Sequence, residues 1–255
     1  MVRKITTMLA AVTAIIFTAF SPVEANAQEK KCDVYISGGA KIVSSYLWRG
    51  LREAGVSFQP SMALHIENFM LEAWGSVDFA AASYKELDIK LAYQAGPVLI
   101  SINDVYAVYP KANPGLNGGY NYFSYKKGAP HRVEGGIQWH ITKAVPVTIS
   151  WYTTLVGGSD YNEEGKRIFS SYLELSYPFM VKSVSMNAGI GMVPWNAVQV
   201  YGIDRDFYVQ DIFVSAERTW EIKSMQGLRF GISTLLSWNP ALADANVMCG
   251  FSLQM

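Results

Sequence analysis

The sequence predicts an all-β fold: a transmembrane, antiparallel, up-and-down β-barrel of about twelve strands. Three observations predict it. Segments of roughly ten residues alternate apolar and polar side chains. The connections between them alternate between short and long. The chain opens with a segment built like a secretory leader.

The leader comes first. Met1-Val2-Arg3-Lys4 is followed by an apolar stretch from Ile5 to Phe20, and then by the small-residue site Ala25-Asn26-Ala27. A basic start, a short apolar core and a small-x-small site are the parts of a signal peptide. Residues 1–27 are therefore expected to be removed, leaving 28–255 as one barrel domain. The mature chain has one more acidic than basic residue, so it offers no electrostatic footprint for nucleic acid. Hydrophobic residues make up 50% and charged residues only 16%. A soluble domain carries about a quarter charged residues, so the balance favours a lipid-facing surface. The 15 Tyr, 12 Phe and 7 Trp suit aromatic girdles at two membrane interfaces.

The alternation is clearest from Ala63 to Phe79. Leu64, Ile66, Phe69, Leu71, Ala73, Val77 and Phe79 interleave with Ala63, His65, Glu67, Glu72, Trp74, Ser76 and Asp78. A period of two places the two sets on opposite faces of a strand. The same reading predicts strands near 33–48, 56–67, 69–80, 84–95, 97–108, 131–141, 146–156, 167–177, 182–192, 207–221, 227–238 and 246–255. Short connections at Glu67-Asn68, Ala95 to Pro97, Thr142 to Val145, Pro178 to Val181 and Ile222 to Gln226 are expected on the periplasmic side with the chain ends. Pro110 to Pro130, Gly157 to Lys166, Pro194 to Asp206 and Asn239 to Ala245 are expected as outer loops. Asp104 and Asp211 each break the alternation and are expected to mark bulges.

Assigning the apolar faces to lipid leaves a polar lumen, because a charge facing lipid at midplane costs ~2–4 kcal/mol. The lumen candidates are Lys41, Arg49, His65, Glu67, Glu72, Asp78, Glu86, Asp88, Lys90, Arg132, Glu134, His140, Glu174, Glu217 and Arg229. Both signs are present, and opposite charges are expected largely to pair across a narrow lumen. Arg49 is expected in the barrel mouth, beside a tight turn at Gly50, with Glu53, Glu86 or Asp78 as its partner.

Chemistry-bearing patterns are sparse. None of His65, His131 and His140 has a serine two residues away on the same strand face, as a serine–histidine pair on one strand would require. There is no Cys/His metal pattern, and no cofactor is expected. Cys32 and Cys249 are expected to be unlinked thiols, about 20 Å apart in height at ~3.3 Å per residue. Asp160, Asp204 and Asp206 read as solvated loop residues, and Gly135-Gly136 as a bend.

The segment Ser45-Tyr46-Leu47-Trp48-Arg49-Gly50, followed by Pro60 and the step Trp74-Gly75-Ser76, resembles the TorF-like porins, the Gcw_chp outer-membrane barrels. The similarity lies mainly in residues 35–110. It implies a porin-like role and carries no agreed substrate or catalytic residue with it. The chain departs from the common barrel pattern at its end, where Met255 stands in place of an aromatic residue.

The expected function is a bacterial outer-membrane, porin-like channel, with lipid around it and small polar solutes as its cargo. A closed barrel whose Tyr-rich outer loop binds a partner is the second reading. A lipid-modifying enzyme is the third.

Overall fold

The computed structural model describes residues 32–80, 84–108, 122–142, 144–158, 160–225 and 227–255. The leader expected over residues 1–27 lies outside them. From Asp33 onward the chain is one compact unit.

Twelve antiparallel strands close into a barrel. They are β1 (Val34–Val43), β4 (Ser57–Ile66), β5 (Phe69–Asp78), β6 (Lys85–Ala95), β7 (Val98–Val108), β8 (His131–His140), β9 (Thr148–Gly157), β10 (Ser171–Val181), β11 (Val184–Val193), β12 (Tyr208–Glu221), β13 (Arg229–Asn239) and β14 (Asp244–Gln254). Each pairs with its neighbour in sequence, and β1 pairs with β14 to close the ring. The seam runs from Gly39 opposite Gln254 to Val43 opposite Gly250. Closure leaves no strand edge, so every strand finds its hydrogen bonds inside the ring, as a lipid environment requires.

The predicted alternation holds along the walls. Ile42, Met62, Leu71, Leu91, Ile100, Ile102, Ile137, Leu236, Val247 and Phe251 are exposed on the outside. Ser57, Ser76, Ser101, Ser150 and Ser252 are buried on the inside. A continuous apolar exterior over a serine-lined interior reverses a soluble protein and suits lipid. Aromatic residues gather toward the ends of the wall. Phe69 packs on Tyr93 at 4.6 Å and Trp220 on Phe230 at 6.0 Å near the short turns. Trp238 and Phe79 lie exposed toward the other end.

Three expectations are corrected. The first predicted strand, 33–48, ends at Val43, and the chain then forms a separate hairpin of β2 (Tyr46–Trp48) and β3 (Leu51–Ala54). The expected outer loop from Asn239 to Ala245 is a tight turn of Pro240 to Ala243, with Asn239 Oδ1 accepting from the amides of Ala241 and Leu242. Asp104 makes no bulge: β7 pairs in unbroken register with β6 and β8. Its carboxylate breaks the apolar pattern because partners are supplied from outside the strand, as described below. At Asp211 a register shift does occur, with Gly191 opposite Asp211 and Met192 opposite Val209.

The alternation gives a direct test. Ile102 lies mid-strand and is 52% exposed on the outer face. Ile102→Lys is expected to lower unfolding stability in lipid vesicles by ~2–4 kcal/mol. A loss under about 0.5 kcal/mol, the range of an ordinary surface substitution, would put this wall away from hydrocarbon.

Candidate functional site: the closed mouth of the barrel

The β2–β3 hairpin does not extend outward. Its two-residue turn, Arg49-Gly50, has positive φ at both positions, 48° and 77°. That is the signature of a type I′ turn, which matches strand twist. Gly50 accommodates this freely. A Cβ there would also strike the Gln210 carbonyl, so the tip sits directly on β12. The Gly50 carbonyl accepts from Asn239 Nδ2 at 3.3 Å. A second segment, the short helix α1 (Val198–Tyr201) in the connection between β11 and β12, folds in beside the hairpin. Tyr201 of α1 stacks on Trp48 at 5.5 Å and 11°. Together these segments bury Tyr172, Val193, Ala197, Tyr201, Ile203 and Tyr208, with Trp48 and Leu51 packed against them. A small hydrophobic core therefore occupies the mouth of a barrel whose lower walls are polar.

Arg49 is the centre of this arrangement. Its Nη1 and Nη2 donate to Glu134 Oε2 and Oε1 on β8, both at 2.7 Å. Nη1 also donates to the Tyr201 hydroxyl at 3.0 Å. The guanidinium lies over three rings: Tyr152 at 4.4 Å, Trp48 at 4.8 Å and Tyr172 at 4.8 Å. A planar cation held by a carboxylate fork and aromatic faces has its donors and its π surface satisfied at once. Room for the rings comes from missing side chains on neighbouring strands. A Cβ at Gly191 would collide with the Tyr172 hydroxyl, and one at Gly136 would crowd the ring of Tyr152. Gly136, expected as a bend, instead lies in unbroken pairing with Ser101 and makes space.

Trp48 divides two cavities. Above it lies an outer chamber of about 260 Å³, lined by Tyr46, Tyr84, Glu86, Val105, Pro130 and Arg132 among others. Below it lies an inner chamber of about 210 Å³, bounded by Arg49, Lys90, Ser101, Asn103, Glu134, Tyr152 and Glu174. Arg132 stacks on Trp48 at 4.6 Å, so one indole meets two guanidinium groups.

The remaining lumen candidates are distributed along the walls. Asp88 accepts from Asn103 Nδ2 at 2.8 Å. Glu72 stands opposite Lys90 in register. Lys41 lies by Gly250 and is attracted by Glu217, which in turn accepts from Gln254 at 3.4 Å. His65 stacks on Tyr35 at 4.3 Å and meets Ser37 Oγ at 2.9 Å. His140 is exposed, 2.9 Å from Thr148 Oγ1. Asp78 accepts from the amides of Gly55 and Ala80. Glu67 sits exposed in the β4–β5 turn with φ 50°, beyond the wall. Arg229 is exposed at the turn end, opposite Glu221.

Two charge expectations change. Arg49 pairs with Glu134 and not with Glu53, Glu86 or Asp78, because the hairpin folds across the mouth toward β8 instead of standing on the rim. The expected pairing of opposite lumen charges is also overturned. Among the described residues, Lys41, Glu72, Glu86, Asp88, Lys90, Arg132, Glu174 and Glu217 form no ion pair within 4.0 Å, leaving Arg49–Glu134 as the lumen salt bridge. Even Glu72 and Lys90, cross-strand neighbours in register, do not bring their charged ends within that distance.

A further cluster was not legible in the sequence. Asp104 Oδ1 lies 2.8 Å from His131 Nδ1, and Asp104 Oδ2 accepts from the Tyr125 hydroxyl at 2.6 Å. Tyr106, Tyr122 and Tyr125 surround the His131 ring, which is completely buried. This clamps residues 122–125 onto β7 and β8, and it explains the charge that breaks the β7 pattern. Burial first, then the Asp104 carboxylate, holds the Tyr125 phenol above its ordinary pKa. Asp160, read as a solvated loop residue, is likewise buried. It accepts from the amides of Phe169 and Ser170 and from Ser170 Oγ, closing the β9–β10 loop.

Comparison with solved structures finds outer-membrane barrels. A KdgM porin aligns over 86% of this chain and 97% of its own, with TM-score 0.45 and 7% identity. The COG4313 outer membrane channel from Pseudomonas putida F1 covers 92% and 98%, with TM-score 0.41 and 10% identity. The Pseudomonas putida toluene transporter TodX covers 93% and 89%, with TM-score 0.36 and 10% identity. No family model and no curated protein matches the chain.

Removing one member of a largely buried ion pair strands the other. Glu134→Gln is therefore expected to lower unfolding stability by about 3 kcal/mol. The double variant Arg49→Met with Glu134→Leu is expected to recover most of that loss, as denaturant titration in detergent would measure. His131→Ala is expected to speed protease cleavage within residues 122–130 while leaving barrel mobility on heated and unheated gels unchanged.

Proposed function

We propose that the chain is a bacterial outer-membrane channel of the porin kind, made with a cleaved leader, that passes small polar solutes through a narrow, gated lumen. The observation that carries this reading is the unpaired charge along the lumen. Lys41, Lys90, Glu72, Glu174 and Glu217 have no ion-pair partner among the described residues. An ionised group without a partner needs water, so a lumen lined this way is hydrated below the mouth. A barrel serving only as a scaffold would gain from neutralising or pairing those groups. The lumen candidates named from the sequence keep their proposed role as a polar lining, with Glu67 and Arg229 at the turn-side rim. Membership of the TorF-like porins is the finer part of this proposal and rests on Ser45 to Gly50.

The gate in this reading is the β2–β3 hairpin. It is joined to the wall at Ser44-Ser45 and Gly55-Val56, and its turn is latched by Arg49 to Glu134. The turn places a non-glycine residue at positive φ, a conformation that costs on the order of 1 kcal/mol or more. The bidentate pair offsets that cost in the closed state. The reading is non-enzymatic. His131 and Asp104 form a dyad, but His131 Nε2 is buried with no hydrogen-bond partner among the described residues, so no hydroxyl of those residues is in reach of it.

A closed barrel that binds a partner through its outer loops is favoured by one observation, the hydrophobic core in the mouth. Planar-bilayer recording separates the two. The channel reading expects small, discrete conductance from the wild type and a conductance at least twofold larger from Arg49→Ala. Silence from both proteins, with normal heat-modifiable mobility, would establish the closed barrel instead.

A further inference from the structure

We infer that the outer chamber is a binding site for a small monocarboxylate, with the Arg132 guanidinium as its anchor. The inference rests on the channel reading and names the solute class that the chamber selects.

Arg132 is the guanidinium of the mouth that no acceptor among the described residues bonds. Arg49 and Arg132 flank the same indole, but Glu134 is in contact with Arg49 alone, which takes both its oxygens. Among the described residues, no hydrogen bond or ion pair holds Arg132, although Glu134, Glu86 and Asp88 attract it at longer range. Its Nε is fully enclosed and without an acceptor. An arginine with unsatisfied donors beside a cavity is an incomplete fork, and the group that completes such a fork in plane is a carboxylate. The outer chamber supplies the space, about 260 Å³, on the side of Trp48 away from the Arg49 latch.

The other walls limit what the carboxylate can be attached to. Val105, Val108, Pro130 and Val200 form an apolar side suited to a short hydrocarbon body. Glu53, Glu86 and Asp160 also face the chamber, Glu86 accepting the Tyr84 phenol and Asp160 the amides of Phe169 and Ser170, and a second negative charge on the solute would meet them. One carboxylate on an apolar body fits, and a dicarboxylate is disfavoured.

The test uses the whole protein in lipid nanodiscs, with binding followed by ligand-observed NMR. Butanoate, 1-butanol and succinate are the probes. Butanoate is expected to bind saturably, with succinate weaker and 1-butanol not saturable. Arg132→Gln is expected to weaken butanoate at least tenfold, and Arg132→Lys to retain part of the affinity. Equal butanoate affinity in folded Arg132→Gln, or absence of saturable butanoate binding to the wild type, overturns the inference. Should Arg132→Gln lose its heat-modifiable mobility, the wild-type comparison decides: 1-butanol binding as tightly as butanoate overturns it. The readout needs no flux. A barrel that binds butanoate but never conducts sinks the channel reading alone, and one that conducts without binding sinks this inference alone.

Discussion

The mouth of this barrel is organised by one interaction, the bidentate pair between Arg49 and Glu134. A charge-assisted fork tolerates little displacement. Arg49 is on a free hairpin and Glu134 on a wall strand, so the pair sets where the hairpin lies. Trp48 and Leu51 then reach the β10–β12 arc, and Tyr201 can stack on Trp48 from α1. The aromatic cage is a consequence of the same geometry. Tyr152 and Tyr172 lie along the wall toward Arg49 only because Gly136 and Gly191 leave the space. Four distant segments converge on one guanidinium, each unremarkable alone.

The mouth and the walls obey different rules. In the mouth, apolar side chains pack around a satisfied ion pair, as in the core of a soluble domain. Along the walls, serines and charges without an ion-pair partner among the described residues line the interior. The boundary is Trp48, with an outer chamber above and an inner chamber below. The element across the mouth is small, a nine-residue hairpin (46–54) held by few groups, and the wall pairs without it.

Much of this was legible in the chain. Ten-residue alternation gave twelve strands, and the two sets of connections gave an end with short turns. The lumen assignment followed from the cost of a charge in lipid, a local rule that each residue obeys independently. Errors arose where a residue answered to something off its own strand. Asp104 looked like a bulge because its partners, His131 and Tyr125, come from the next strand and a loop. Asp160 looked solvated because the amides it caps lie nine and ten residues further on. A glycine inside a strand, such as Gly136 or Gly191, was the available signal for the aromatic cage, since it marks close approach.

The sequence by itself determined the wall: the strand number, its antiparallel order and the polar inside, because a period of two is set by backbone geometry and by the contrast between lipid and water. Only the tertiary structure decided which charges meet. Arg49 and Glu134 are 85 residues apart and find each other across a closed ring, whereas Glu72 and Lys90, opposite in register, form no ion pair. Pairing depends on barrel curvature, hairpin direction and side-chain reach, and none of these is written in the alternation that builds the wall.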